Sequence, residues 1–137
     1  MNGQIHVRAC LIVVQQHKIL LVPHFNTDVG PVQYNLPGGR VEFGEALQAA
    51  AVREFEEETG YTAACHDLLD IYEHHRPDWH SITVGYWGVI TGGAMRAEQT
   101  RWGERLPRWF STHDLNSVPY HPKPLIIKAL DESAGRF

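Results

Sequence analysis

Three glutamates, Glu54, Glu57 and Glu58, stand within five residues of one another, just before Gly60. Positions i, i+3 and i+4 share one side of a helix, and a glycine after a helical run reads as its stop. The spacing therefore predicts a helix over roughly 45–59 with the three carboxylates on one face and Gly60 at its end. Such a face is unfavourable by itself. Glu54 and Glu58 repel one turn apart, and carboxylates are misplaced at a helix C-terminus, where the dipole favours cations. Arg53 can pair with Glu57 but cannot neutralise the group. The plain alternative is a solvated acidic face. A bound divalent cation would offset the repulsion, and oxygen-only ligands suit Mg²⁺ or Mn²⁺ rather than zinc.

The stretch Gly39–Tyr61, GRVEFGEALQAAAVREFEEETGY, resembles the box of the Nudix (MutT-like) hydrolase family, G-x5-E-x7-R-E-U-x-E-E-x-G-U, where U is bulky and apolar. Gly39, Glu45, Arg53, Glu54, Glu57, Glu58 and Gly60 fall in register; Phe55 and Tyr61 fill the U positions with aromatic rather than aliphatic groups. The resemblance implies an α/β fold, the Nudix α/β/α sandwich with a mixed β-sheet between helices. It also implies Mg²⁺-dependent cleavage of a phosphoanhydride, with Mn²⁺ as a substitute. Carried over residue by residue, Glu54, Glu57 and Glu58 become metal ligands, joined by the carbonyl of Gly39. Glu54 doubles as a general base, and Arg53 and Glu45 hold the loop and helix in shape. Arg53, placed with the catalytic group, orients a carboxylate rather than touching substrate.

The elements that must position these groups follow from patterning. Ile5–Val14 reads as a central strand and Ile19–Val22 as its antiparallel hairpin partner. Pro23–Gln33 reads as a loop, Tyr34–Gly39 as a short strand leading into a glycine turn, and Arg40–Phe43 as a brief extended piece. Leu68–Tyr72 and Ser81–Thr91 read as strands around a histidine-rich turn over residues 74–80. A loop runs from Gly92 to Leu106 and holds Glu98 and Glu104. Pro107–Phe110 reads as a strand, Ser111–Asp114 as a capped helix start, Tyr120–Pro124 as a loop and Leu125–Leu130 as the apolar face of a terminal helix.

Five residues outside the box are candidate substrate contacts. Arg8 is either a strand-edge charge or a partner for a substrate phosphate. His24 and Phe25 lie in the loop before the box, where they suit a phosphate and a base, or simply solvent. Trp79 and Trp87 offer faces for a nucleobase or fill core and rim. Zinc binding by the histidines is disfavoured, because adjacent residues such as His74 and His75 point to opposite faces of a strand.

At 137 residues, 43% hydrophobic, the chain reads as a single domain over residues 1–137. A net charge of −4 disfavours a nucleic-acid polymer or an anionic membrane as partner. No apolar run is long enough to span a bilayer and no signal peptide is visible. Cys10 and Cys65, isolated and without metal spacing, read as reduced residues of a cytoplasmic protein. The partner is a small nucleotide, and the protein acts as a monomer or homodimer.

Within the family pattern two departures bear on substrate. The position before Trp109 is Arg108, where nucleotide-pool sanitising members carry a metal-binding glutamate, and no asparagine lies around Tyr120–Pro124 to read guanine. Pro77, sixteen residues past Tyr61, resembles the marker of ADP-ribose pyrophosphatases. The preferred expectation is hydrolysis of ADP-ribose or a nucleoside diphosphate sugar. The alternative is a (d)NTP or oxidised-dNTP pyrophosphohydrolase; from another class comes a non-catalytic nucleotide-binding module, against which the intact box carboxylates argue.

Overall fold

The computed structural model describes residues 3–25, 31 and 33–136. In chain order the strands are β1 (Ile5–Ile12), β2 (Val14–Gln15), β3 (Lys18–His24), β4 (Gln33–Asn35) and β5 (Gly38–Arg40), followed by helix α1 (Leu47–Thr59). Then come β6 (Tyr61–Arg76), β7 (Trp79–Gly93), β8 (Glu98–Thr100), β9 (Gly103–Arg105) and β10 (Arg108–Phe110). A 3-10 turn (Asp114–Ser117), β11 (Tyr120–His121) and helix α2 (Lys123–Arg136) complete the chain.

A mixed four-stranded sheet runs β5-β1-β7-β6, with β1 antiparallel to β5 and parallel to β7. A second sheet runs β10-β3-β4-β11, with β2 also paired to β3. Toward its C-terminal end β1 is apolar on both faces, and alternation divides them. Ala9, Leu11 and Val13 pack with Leu20 and with Ala50, Ala51 and Phe55 of α1. Cys10 and Ile12 pack with Ile19, Leu21 and with Leu125, Ile126 and Ala129 of α2. The strands thus lie between two helices, in an α/β/α arrangement. Phe55 is fully buried, and burying a side chain of that size stabilises the fold by about 1.5–3 kcal/mol.

Several expectations are corrected. The hairpin of the first two strands is confined to its tip. Only Val14 and Gln15 pair with Ile19 and Lys18, across a turn in which Gln16 and His17 have positive φ. The body of β1 belongs to the other sheet, because the chain breaks at Val13. The helix starts at Leu47 rather than 45; Gly44 has φ +84° and Glu45 closes a turn onto Glu42. The glycines before the helix form strand β5 rather than a tight turn. The histidine-rich turn shrinks to Pro77–Asp78, since β6 and β7 pair from Tyr61↔Gly93 to Arg76↔Trp79. The expected 92–106 loop contains the β8–β9 hairpin. Residues 120–121 pair as a strand with β4, and α2 already begins at Lys123. Ser111 and Asp114 do exchange the reciprocal backbone bonds of a capping box, but over a 3-10 turn. Much of the Pro23–Gln33 loop, Gly30 included, lies outside the described residues.

Gly60 ends α1 in the left-handed conformation, φ +85°, and donates its N–H to the Glu56 carbonyl. A Cβ there would fall 2.4 Å from the Ala94 carbonyl oxygen. Gly60→Ala is therefore expected to lower the unfolding free energy by about 1–3 kcal/mol. Urea denaturation of the two proteins measures it, and equal midpoints would contradict the account.

Candidate active site

Burial of Ala50, Ala51 and Phe55 against the sheet turns the face of α1 that carries Glu54 and Glu58 toward the glycine strand β5. Both glycines are needed for close approach. A Cβ on Gly38 would lie 2.5 Å from the Ala9 carbonyl oxygen and from Cys10 Sγ, and one on Gly39 would lie 2.5 Å from Glu54 Cδ. The box carboxylate therefore rests directly on backbone.

Glu58 is 6% exposed. Its Oε1 accepts the Gly38 N–H at 2.9 Å, and its Oε2 accepts Arg105 Nη2 at 3.2 Å. Burial pushes its pKa up to about 8, prevailing over the Arg105 guanidinium and the Gly38 N–H, which act to lower it. Glu54 accepts Arg53 Nη1 at 3.0 Å. Arg53 also forks onto Glu45, Nε to Oε2 at 2.7 Å and Nη2 to Oε1 at 3.0 Å, a bidentate pair that fixes the guanidinium plane. This pairing holds the Glu45 carboxyl below its ordinary range. Glu57 lies 3.6 Å from Arg53 and is 54% exposed. One arginine thus ties the loop before α1 to two of the three carboxylates.

The oxygen donors Glu54, Glu57, Glu58 and Gly39 suit a hard divalent cation in kind. Among the described residues no three acidic, histidine or cysteine side chains converge as a ready ligand set. Instead Arg53 and Arg105 supply the positive charge that these carboxylates require. A cation would have to take its ligands from them.

Beside the carboxylates lies a cleft of about 470 Å³. Arg8, His24 and Trp79, from three separate strands, line it together with Asn35, Arg76 and His121. Its lining includes two arginines and three histidines, the third being His74, and contains no carboxylate. Phe25 is half-buried and is not among the lining residues. Trp79 stands at the rim, stacked on His6 at 4.3 Å, whereas Trp87 is buried in the core on the α2 side, which removes it as a base platform. His74 meets His121 edge-on at 5.5 Å. Burial lowers the pKa of both His24 and His121; Arg105 and Arg8 lower the first further, His74 and Arg8 the second. Both rings favour the neutral form, a hydrogen-bonding rather than a charged role. The Oδ1 of Asn35 is buried without a partner among the described residues.

Arg105, Arg76, Asn35 and His121 are the site residues that sequence reasoning missed. Of the two loop glutamates, Glu98 accepts Arg105 Nη1 at 3.0 Å, while Glu104 accepts the Gln99 amide and stays outside. No local signal marks Arg105, whose partners Glu58 and Pro23 are 47 and 82 residues away. Arg76 falls in the segment that reads as a turn and His121 in one that reads as a loop, and neither pattern says which way a side chain faces.

A family model described as NUDIX domain matches residues 4–129. The chain is 38% identical over 96 residues to the 8-oxo-dGTP diphosphatase of Escherichia coli (strain K12), covering 67% of this chain and 70% of that protein. It is 35% identical over 88 residues to the ADP-ribose pyrophosphatase of Methanocaldococcus jannaschii, covering 63% of this chain and 52% of that protein. With 56% of a Bacillus subtilis relative also spanned, the chain covers between about half and seven-tenths of these curated relatives. Among solved structures, a NUDIX hydrolase from Nitrosomonas europaea superimposes with a TM-score of 0.80 at 22% identity, over 96% of this chain and 90% of that one.

Proposed function

The chain belongs to the Nudix family, and we propose that it is a hydrolase whose substrate is a nucleoside diphosphate linked to a sugar or comparable group, ADP-ribose among them. The observation that carries this reading is the lining of the cleft beside the box. Arg8 and Arg76 offer cations for a diphosphate, and Gln33, Asn35, Ser81 and Thr83 offer donors and acceptors for sugar hydroxyls. Pro77, at the exposed tip of the β6–β7 hairpin, is not a lining residue of this cleft and adds nothing to it.

Glu54, Glu57, Glu58 and the Gly39 carbonyl would hold Mg²⁺, or Mn²⁺ in its place, which when bound would offset the charge of the diphosphate and acidify water. Arg53 keeps Glu54 against Gly39 and leaves it as the candidate general base. Arg8 and the rim of Trp79 position the nucleotide, and most of the rate comes from positioning and electrostatics. No helix among the described residues is long and apolar enough to cross a membrane. A reducing compartment, the cytoplasm, suits the two free thiols Cys10 and Cys65.

A second reading, a diphosphatase of oxidised or ordinary dNTPs, is favoured by the Escherichia coli relative. A panel of ADP-ribose, sugar nucleotides, dNTPs and oxidised dGTP with Mg²⁺, products identified by mass, separates the two. AMP and ribose phosphate from ADP-ribose are the expected products; a nucleoside monophosphate and pyrophosphate from dNTPs alone would overturn the sugar reading. With the best substrate, Arg8→Ala is expected to raise KM about tenfold with little change in kcat, the pattern of lost ground-state binding. An unchanged KM would remove Arg8 from the site.

A further inference from the structure

The guanidinium of Arg105 joins three separate parts of the molecule. Nη2 donates to Glu58 at 3.2 Å, Nη1 to Glu98 at 3.0 Å, and Nε to the Pro23 carbonyl at 2.6 Å. Its side chain is 19% exposed and its Glu58 partner 8%. Glu98 and Arg105 face each other across the β8–β9 hairpin, so this pair travels as a unit, whereas Glu58 belongs to α1 and Pro23 to β3.

Both oxygens of Glu58 are already engaged. The Gly38 N–H is fixed in strand β5 by its pairing with β1, but Arg105 ends a flexible side chain on a three-residue strand. A divalent ion arriving at Glu58 meets a like charge at contact distance, in a place shielded from water. Of the two groups holding Glu58, the arginine is the one free to leave.

Resting on the family reading of the carboxylate site, we propose that Arg105 is a positioning residue that acts as the site's resident counter-cation. It holds Glu58 aligned until a divalent ion takes its place. On exchange it keeps Glu98 and releases both Glu58 and the Pro23 carbonyl. Since Pro23 adjoins His24 in the lining of the cleft, the exchange also frees that wall of the nucleotide site. Metal loading and substrate entry are thereby coupled through one side chain.

The test uses the full chain, without nucleotide, and Mn²⁺ or Mg²⁺ alone at one pH above 8, where Glu58 carries its charge. Mn²⁺ binding is followed by the electron paramagnetic resonance of the free ion, and Mg²⁺ binding by calorimetry. Arg105→Met is expected to bind Mn²⁺ at least tenfold more tightly than the wild type, because the competing charge is gone. Arg105→Lys, which keeps that charge, is expected to stay within about threefold of the wild type. In the wild type the Arg105 Nε–H nuclear magnetic resonance signal, assigned by its loss in Arg105→Lys, is expected to move with the midpoint of Mg²⁺ binding. Equal or weaker Mn²⁺ affinity in a folded Arg105→Met protein would overturn the proposal. So would an Nε–H signal that stays put while Mg²⁺ binds, a result that stands even if Arg105→Met fails to fold. If the wild type takes up neither ion, the metal reading of the carboxylates fails first, and the exchange falls with it.

Discussion

Replacing Glu58 with glutamine is expected to lower kcat/KM for the proposed Mg²⁺-dependent hydrolysis by about a thousandfold, on the order of 4 kcal/mol of transition-state stabilisation. The size follows from position. Glu58 is the most buried of the box carboxylates and lies between the Gly38 N–H and Arg105. A glutamine keeps an acceptor for Gly38, but it loses the negative charge and sets an amide donor against a guanidinium donor. Glu104→Gln is the matched control, since that glutamate accepts only the Gln99 amide at the surface. Steady-state kinetics on both variants, with circular dichroism to verify folding, decide the matter. More than a tenth of wild-type activity in Glu58→Gln would refute the assignment, as would an equal loss in Glu104→Gln.

The same residue sets a pH dependence of opposite sense to that of a surface carboxylate. In the folded protein Glu58 titrates near 8, against an ordinary value of 4.5. Between these values the folded state holds a proton that the unfolded state has released. The contribution of Glu58 to the stability of the metal-free protein is therefore fully present below about pH 4.5. It falls as pH rises, by at most about 1.4 kcal/mol per pH unit, and levels off above pH 8. His24 and His121, whose pKa values are lowered, contribute with the opposite sign around and below pH 6.5, so the interval from pH 7 to 8 isolates Glu58. Urea denaturation in the presence of a chelator should show stability declining across that interval in the wild type and flat in Glu58→Gln. Identical slopes would assign the titration to another group. Below pH 8 a cation must also expel this proton, so apparent Mg²⁺ affinity rises with pH until Glu58 is ionised.

The box was legible in the sequence because its chemistry demands fixed spacing along a helix. Arg53, Glu54, Glu57 and Glu58 can act together only at those intervals, and Gly60 marks the end of the element that carries them. The layered arrangement followed from the resemblance that the box carries, and the order of hairpin, strand, long helix, strands and terminal helix suits it. The pairing of the first strand was not legible. Residues 9–14 and 19–22 are apolar on both faces, so their periodicity does not say which neighbour they take. Only the break at Val13 sends β1 into one sheet and β2 into the other. The β8–β9 hairpin escaped notice because its sequence is polar, and its attachment depends on Glu98–Arg105 and Arg105–Glu58, the second bridging 47 residues. Arg8, His24 and Trp79 were individually visible; that they line one cleft emerges only when β1, β3 and β7 are assembled.

The paired strands β6 and β7, sixteen and fifteen residues long, reach ~50 Å from end to end at the usual rise per residue. Their root is locked to the end of the box helix, where Gly93 presses on Gly60. Their tip delivers Arg76 and Trp79 to the cleft. The carboxylate site sits partway along this ribbon, since Gly39 pairs with Ala9 and Ala9 with Val84. On the proposed reading, substitution at the tip would alter which molecule is chosen without touching a box residue, so such a scaffold can diversify its diet without reinventing its chemistry.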